Sequence, residues 1–349
     1  MTTTQSEVLN AKSVNGDKAH SGHKAVAKKS FIAKNAEHLA LSGALVVLVI
    51  VFSLINPRFA SLLNLQAILS AAGLPLLIGV GATFVILIGS IDLSVEGVMG
   101  ASGMTFVLMS ANSRGTHDFG LWAWPAAVAV GAALGLVSGV IYTKVKVPSF
   151  VVTLGMWYVG LGIAIILFGT DAIPTFTNNS LGTWAAQINL GMPNSFLLAG
   201  AAAIVGALVL RFTRFGRVTL AVGANEEIAK ANGLRVSRTK ITIFTIAGAM
   251  SGLAGIVAVI QLGMGSATVA QGQLFLTIPA VVIGGTALGG GKGGMFGTAL
   301  GVILLTTLNN GLILSGVSPD FQKAVSGAIL VVAIIATAWS QRDRLRISK

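Results

Sequence analysis

The chain has 349 residues, of which 54% are hydrophobic and 10% charged, with 23 Lys and Arg against 11 Asp and Glu and no cysteine. A mean hydropathy of +0.85 leaves too little polar surface for a water-soluble core of this size. Repeated apolar runs near the roughly 20 residues that cross a bilayer point instead to an all-α, polytopic transmembrane helical bundle. The absence of cysteine excludes a disulfide framework and cysteine metal sites.

Residues 1–37 are polar and rich in Lys and Ser, with no short apolar region followed by a small-residue cleavage site, and are expected to form a disordered basic cytoplasmic tail. His20 and His23 lie in that tail without further ligands, so no metal site is expected. Residues 38–340 are expected to form the transmembrane domain, with about ten spans starting near Leu39, Leu65, Leu93, Leu121, Phe150, Phe196, Ile241, Leu274, Met295 and Ala324. Residues 341–349 form a basic C-terminal tail. With the amino terminus inside, this count places 20 of the 23 basic residues in inside segments, leaving only Arg58, Arg114 and Lys323 outside. Such a bias is what cytoplasmic loops carry, so both termini are expected to be cytoplasmic. The net charge of +12 restates this bias and is no nucleic-acid footprint.

In chain order, the first polar break is GSIDLSVEGVMG, Gly89 to Gly100, where Asp92 and Glu96 are the only carboxylates between Glu37 and Asp118. A charge at the bilayer centre costs about 2.5–3.5 kcal/mol on insertion scales, so acids at depth face a cavity or a partner, whereas at the surface they cost little. Asp92 and Ser94 can cap the amino end of span three. A broken helix whose polar end lines a translocation path would use the same residues. In a helix, Asp92 and Glu96 would share one face a turn apart.

Pro148 and Ser149 suit a helix start after Lys144 and Lys146. Thr153, Met156 and Trp157 follow at helical spacing and can face either the core or a translocation path. Residues 170–194 contain Asp171, Pro174 and Trp184 but no Lys or Arg, fitting an exposed outside surface. Residues 211–240 form a charged, helix-prone insert. Asn225 reads as an N-cap, Glu226 and Glu227 as first-turn acids, Lys230 as the last-turn cation and Gly233 as the left-handed stop. Ile228, Ala231 and Leu234 make a small apolar edge, too little to hold such a helix alone, so it needs a surface to pack on. Anionic lipid headgroups are one candidate for that surface.

The cluster GGTALGGGKGG, Gly284 to Gly294, fails as a phosphate-binding loop. Thr286 stands six before Lys292 where glycine is required, and Gly293 follows the lysine where Ser or Thr is required. Gly284, Gly285, Gly289, Gly291 and Lys292 read instead as a tight cytoplasmic turn. Gln261, Gln271, Gln273, Asn309 and Asn310 are amides in or near spans, suited to interhelical hydrogen bonds, with Asn309 also a candidate for the path.

The segment AVGANEEIAKANGLRV is similar to the cytoplasmic coupling loop of permease subunits in ATP-binding-cassette sugar importers of the ribose, xylose and galactose type. GSIDLSVEGVMG, VPSFVVTLGM (Val147 to Met156), IPAVVIGGTALGGGKGGMFGTALG (Ile278 to Gly301) and, more weakly, SPDFQKAVSG from Ser318 resemble the same family. Because these segments are spread along the chain, the resemblance extends over most of it, from about Asn64 to Ala338. One departure is Glu96, which stands where the family's IDLSVG pattern has a small residue.

The resemblance implies a multi-pass protein of the bacterial cytoplasmic membrane that makes and breaks no covalent bonds. It implies that Glu226, Glu227, Ala229, Gly233 and Arg235 couple to an ATPase subunit, which binds the ATP and Mg, so this chain needs no cofactor. Asp92, Ser94, Glu96, Ser149, Thr153, Trp157 and Asn309 become candidates for the translocation path or its gate. A soluble periplasmic sugar-binding protein and a second permease subunit, identical or paralogous, are the further implied partners. The alternative reading is an ion-driven secondary transporter with Asp92 or Glu96 at the ion site. An intramembrane enzyme ranks last, because no HExxH or GxSxG pattern and no His within a span is present.

Overall fold

Local capping chemistry sets where three of the α-helices begin. The computed structural model describes residues 38–115, 117–177, 183–318 and, beyond these, 321, 322, 324, 325, 327, 328, 331, 332 and 335. Both expected tails, Lys323 and most of the tenth expected span lie outside the described residues. Helix α1 is His38–Ile55. The Ser61 side chain then accepts from the Asn64 N–H to start α2, Leu62–Leu87. Next come α3, Val95–Met109, and α4, Ala123–Lys144. Helix α5, Ser149–Phe168, starts on Pro148, and α6, Asn194–Phe212, on Pro193. In each, the proline sits where its missing N–H costs nothing.

Thr213 caps α7, Arg214–Ala224, a helix that the sequence reading did not separate from the charged insert. Asn225 caps α8, Glu226–Ala231. The bundle continues with α9, Val236–Leu262, α10, Gln273–Ile283, and α11, Met295–Leu314. Between α5 and α6 a short hairpin pairs β1, Ile188–Asn189, with β2, Met192–Pro193.

Seven of the described helices are long and apolar enough to cross a membrane: α1, α2, α4, α5, α6, α9 and α11. The protein is therefore a polytopic helical membrane protein. Helices α3 and α10, expected as full spans, have only 15 and 11 residues. At 1.5 Å per residue they reach about 22 and 17 Å, short of the roughly 30 Å hydrocarbon core.

Helices α2 and α9 occupy the centre, with 78% and 72% of their apolar windows buried, whereas α1 is peripheral at 6%. The longest seam joins α4 to α9. Between helices in lipid there is no hydrophobic drive, so backbone approach and van der Waals contact must supply the adhesion. Gly131 and Gly135 of α4 lie directly on Gly248 and Gly252 of α9, and a Cβ at Gly135 would overlap the carbonyl oxygen of Phe244. Several hydroxyls within the bundle are satisfied locally: Thr83, Ser138 and Ser251 donate to the carbonyl four residues back at 2.6, 3.0 and 2.9 Å. The hydroxyls of Ser102, Ser195, Thr286 and Thr306 are buried without such a partner.

One end of this bundle is basic. It gathers the C-termini of α2, α4 and α6, the N-termini of α5, α9 and α11, and helices α7 and α8, together with Lys144, Lys146, Arg211, Arg214, Arg217, Lys230, Arg235, Arg238, Lys240 and Lys292. Arg58 and Arg114 lie at the opposite end.

Candidate coupling site and translocation path

The stretch from Leu87 to Ser94, where α2 ends and the chain turns back into the bundle, is the meeting point of the basic end. The N–H groups of Ile88, Gly89 and Ser90 close back on the carbonyls of Val85 and Ile86, but from Ile91 to Leu93 the backbone has no regular partner and must find one elsewhere. The Ser149 hydroxyl accepts from the Ile91 N–H at 3.1 Å, and the Thr153 hydroxyl oxygen accepts from the Leu93 N–H at 3.0 Å. Both belong to α5, one turn apart, so the stretch runs inward along the start of that helix.

Gly97 then reaches the backbone of Trp157. Eight residues separate Ser149 from Trp157, which places the first turn of α3 about 12 Å in from the start of α5. Helix α3 is thus a half-helix that begins at depth. The expectation that Asp92 and Glu96 share one helical face is corrected: the helix starts at Val95, after Asp92. Asp92 Oδ1 instead accepts from the Ser94 N–H at 2.8 Å and from the Ser94 hydroxyl at 2.6 Å. Ser94 occupies the N-cap position without a cap bond of its own.

Glu96 points another way. Residues 263–272 leave the far end of α9 and descend beside α3, with Ala267 against Gly100. Glu96 Oε1 accepts there from the N–H groups of Gly272 and Leu274 at 3.1 and 3.2 Å, at the amino end of α10. Glu96 is only 7% exposed. Two charge-assisted bonds of about 1.5–3 kcal/mol each offset an insertion cost of about 2.5–3.5 kcal/mol.

The remaining path candidates scatter. Thr153 is fully buried and committed to the Leu93 bond. Trp157 is half-buried, its ring 5.5 Å from that of Tyr158. Asn309 is half-buried on α11, 14 residues or about 21 Å from that helix's start at the basic end. The structure therefore brings Asp92, Ser94, Ser149 and Thr153 together, puts Glu96 deeper, and leaves Asn309 apart.

The charged insert forms the expected helix and adds a second. In α8, Asn225 Oδ1 accepts from the Ile228 N–H at 3.0 Å. At its end the Gly233 and Leu234 N–H groups donate to the carbonyls of Lys230 and Ala229 at 2.9 and 3.1 Å. Gly233 has φ of 75°, the left-handed stop that this paired closure requires.

The five coupling candidates divide by direction. Ala229 is 2% exposed, and Glu226 is drawn inward by Lys240 at 2.6 Å while also pairing along its own helix with the exposed Lys230 at 2.6 Å. Glu227, Gly233 and Arg235 face outward. The apolar edge expected from Ile228, Ala231 and Leu234 divides: Leu234 packs against the core, while Ala231 is exposed and Ile228 is 60% exposed. Burial alone would raise the Glu226 carboxyl, but hydrogen bonds from Lys230 and Lys240 and their charges outweigh it and hold it below the usual glutamate range.

The glycine-rich turn closes the assembly. Gly290 and Gly291 have φ of 82° and 75°, and the Gly291 N–H donates to the Leu87 carbonyl at 2.9 Å. Gly223 of α7 fits between them, since a Cβ there would overlap the Leu87 carbonyl oxygen and crowd the Gly291 nitrogen. Gly284 lies on Gly297 at the head of α11, Gly289 lies near Gly89, and Lys292 is exposed. Leu87–Ser94 thus touches α7, the glycine turn and α5. The four segments singled out in the sequence meet in one place. Sequence reasoning missed Gly223, Tyr142 and Lys240. The available signal was Lys240 itself, a cation directly before the apolar run that begins at Ile241.

Comparisons with known proteins bear on the family. A family model described as branched-chain amino acid transport system / permease component matches residues 64–334. The ribose import permease protein RbsC of Escherichia coli (strain K12) is 35% identical over 295 residues, covering 84% of this chain and 91% of that protein. The probable ABC transporter permease protein YphD of the same strain is 36% identical over 323 residues, 90% and 93%. The L-arabinose transport system permease protein AraH, again of that strain, is 32% identical over 317 residues, 86% and 92%. No solved structure matches the chain at a significant level. Since the family model spans most of the chain and these relatives are covered nearly end to end, the chain belongs to this family of transport-system permease components.

Proposed function

We infer that this chain is the membrane-spanning permease subunit of an ATP-driven carbohydrate importer, a multi-pass protein of the bacterial inner membrane rather than an enzyme. The relatives named for ribose and L-arabinose favour a sugar cargo over the amino acids in the family description. An ATPase partner, carrying ATP and Mg, and a soluble sugar-binding protein follow from that role. A second permease subunit, ten spans and cytoplasmic termini complete the reading.

The observation that carries the mechanism is the seating of α7, which leads directly into α8, against Leu87 at the end of α2. Glu227, Ile228 and Arg235 face away from the chain, open to a partner surface, while Gly223 presses directly on the end of α2. Movement of a docked ATPase would therefore shift the stretch that holds Asp92 and the deep start of α3. Alternating access then follows as rocking of half-helices about the path.

A pull-down of the tagged chain from its native membrane in mild detergent tests this. The wild type should retain an ATPase, and Glu227→Lys should lose at least about tenfold of it, the scale for inverting one interfacial charge, with an unchanged yield of the chain. Equal retention by both would sink the docking assignment. With no ATPase at all, the ion-driven reading would take its place.

A further inference from the structure

Three side chains that the sequence reading left without a role join the docking helix to the re-entrant stretch. Lys240 Nζ, in the second turn of α9, donates to Glu226 Oε2 of α8 at 2.6 Å. The same ammonium donates to the Tyr142 hydroxyl oxygen, in the last turn of α4, at 3.0 Å. The Ser90 hydroxyl donates to that oxygen from the other side, also at 3.0 Å. Lys240 is almost buried and needs an anion, which Glu226 alone would supply. The Tyr142 hydroxyl is what extends the bond to Ser90, the residue that opens the extended segment leading to Asp92.

We propose that Tyr142 and Lys240 are positioning residues that relay displacement of α8 to the Ser90–Ser94 stretch, a role that rests on the docking reading of α8. The placement suits transmission. Helices α4 and α9 are locked by their glycine seam, so Tyr142 and Lys240 sit on one rigid body, with Glu226 bound on one side and Ser90 on the other. The ring of Tyr142 packs edge-on against Phe244 at 5.5 Å, so the hydroxyl can be removed while the ring stays seated. The backbone contact at Gly223 is a parallel route, and loss of the relay therefore weakens coupling without abolishing it.

The cysteine-free chain allows a direct test. A bimane label is placed on Ile91→Cys or, separately, on Ala231→Cys at the end of α8, in the complex with the cognate ATPase, and its emission is compared with and without ATP and vanadate. In the wild-type background both labels should respond. With Tyr142→Phe the response at 231 should persist and the response at 91 should fall about fivefold, the equilibrium worth of one hydrogen bond. Ser90→Ala should act alike, and serves alone if Tyr142→Phe does not assemble. An undiminished response at 91 in an assembled variant overturns the relay. Silence at 231 in the wild-type background overturns the docking reading, and the relay with it.

Discussion

The two ends of the bundle are held by different means. At the basic end, backbone meets backbone: the Gly291 N–H on the Leu87 carbonyl, Gly223 wedged between them, Gly284 on Gly297. At the opposite end the loops also pair by backbone, Ser113 with Thr175 and Gly265 with Pro174, but the helix ends meet through rings and a guanidinium. Trp124 stands edge-on to Trp184 at 5.3 Å and to Phe106 at 5.2 Å. Arg114 lies over the Phe168 ring at 5.4 Å and donates to the Asp171 carbonyl at 3.1 Å. Backbone contact leaves no slack, because neither partner can rotate away, whereas ring clusters can re-form after a side chain changes. The helix contacts at the basic end are therefore the tighter ones, the property that the proposed coupling needs.

The sharpest way to break this contrast is Gly223→Val. A side chain there must displace the Leu87 carbonyl and the Gly291 amide together, so the loss should exceed the roughly 1–3 kcal/mol of ordinary overpacking. Folded, detergent-extracted chain should become scarce by size-exclusion chromatography. A normal yield with an unchanged melting temperature would show that the basic end has slack after all. At the far end, Trp184→Phe keeps an aromatic ring against Trp124 and should cost only about 1 kcal/mol, within the range of one aromatic pair. A melting shift as large as that of the Gly223 variant would erase the distinction.

The smallest expected effect is with acid. Glu226 titrates below its unfolded value, so its ion pairs stabilise the seating of α8 fully above the ordinary glutamate value of about 4.3, and that support is lost only as pH falls through the lower, folded value. Its side chain is 38% exposed, so solvent screening keeps the effect small. Amide exchange at Ala229 and Leu234, corrected for intrinsic rates, should hold steady down to that range and quicken below it. Quickening near neutral pH would contradict the assignment.

What the sequence made legible was local. Asn225 and Gly233 bound α8 because capping and the left-handed stop depend on neighbours within four residues. Likewise Pro148 and Gly294 mark α5 and α11. The depth of α3 was not legible, since it depends on Ser149 and Thr153, about 60 residues onward. Tyr142 and Lys240, 98 residues apart, showed only as an aromatic and one more inside cation. The direction of Glu226 could not be read either, because a first-turn acid looks alike whether it faces a partner or its own chain. Helix α7 escaped notice although Phe215, Val218 and Val222 pack against the core, because with 11 residues and flanking charge it merges with the polar insert.

Glu96 has one more consequence. It stands in the first turn of one half-helix and receives the first amides of another, 176 residues further along the chain. A single carboxylate is therefore the pin on which two leaves hang. Neither leaf can swing alone without stripping two amides of their acceptor inside the bundle, so any movement of α3 must carry α10 with it, as one door.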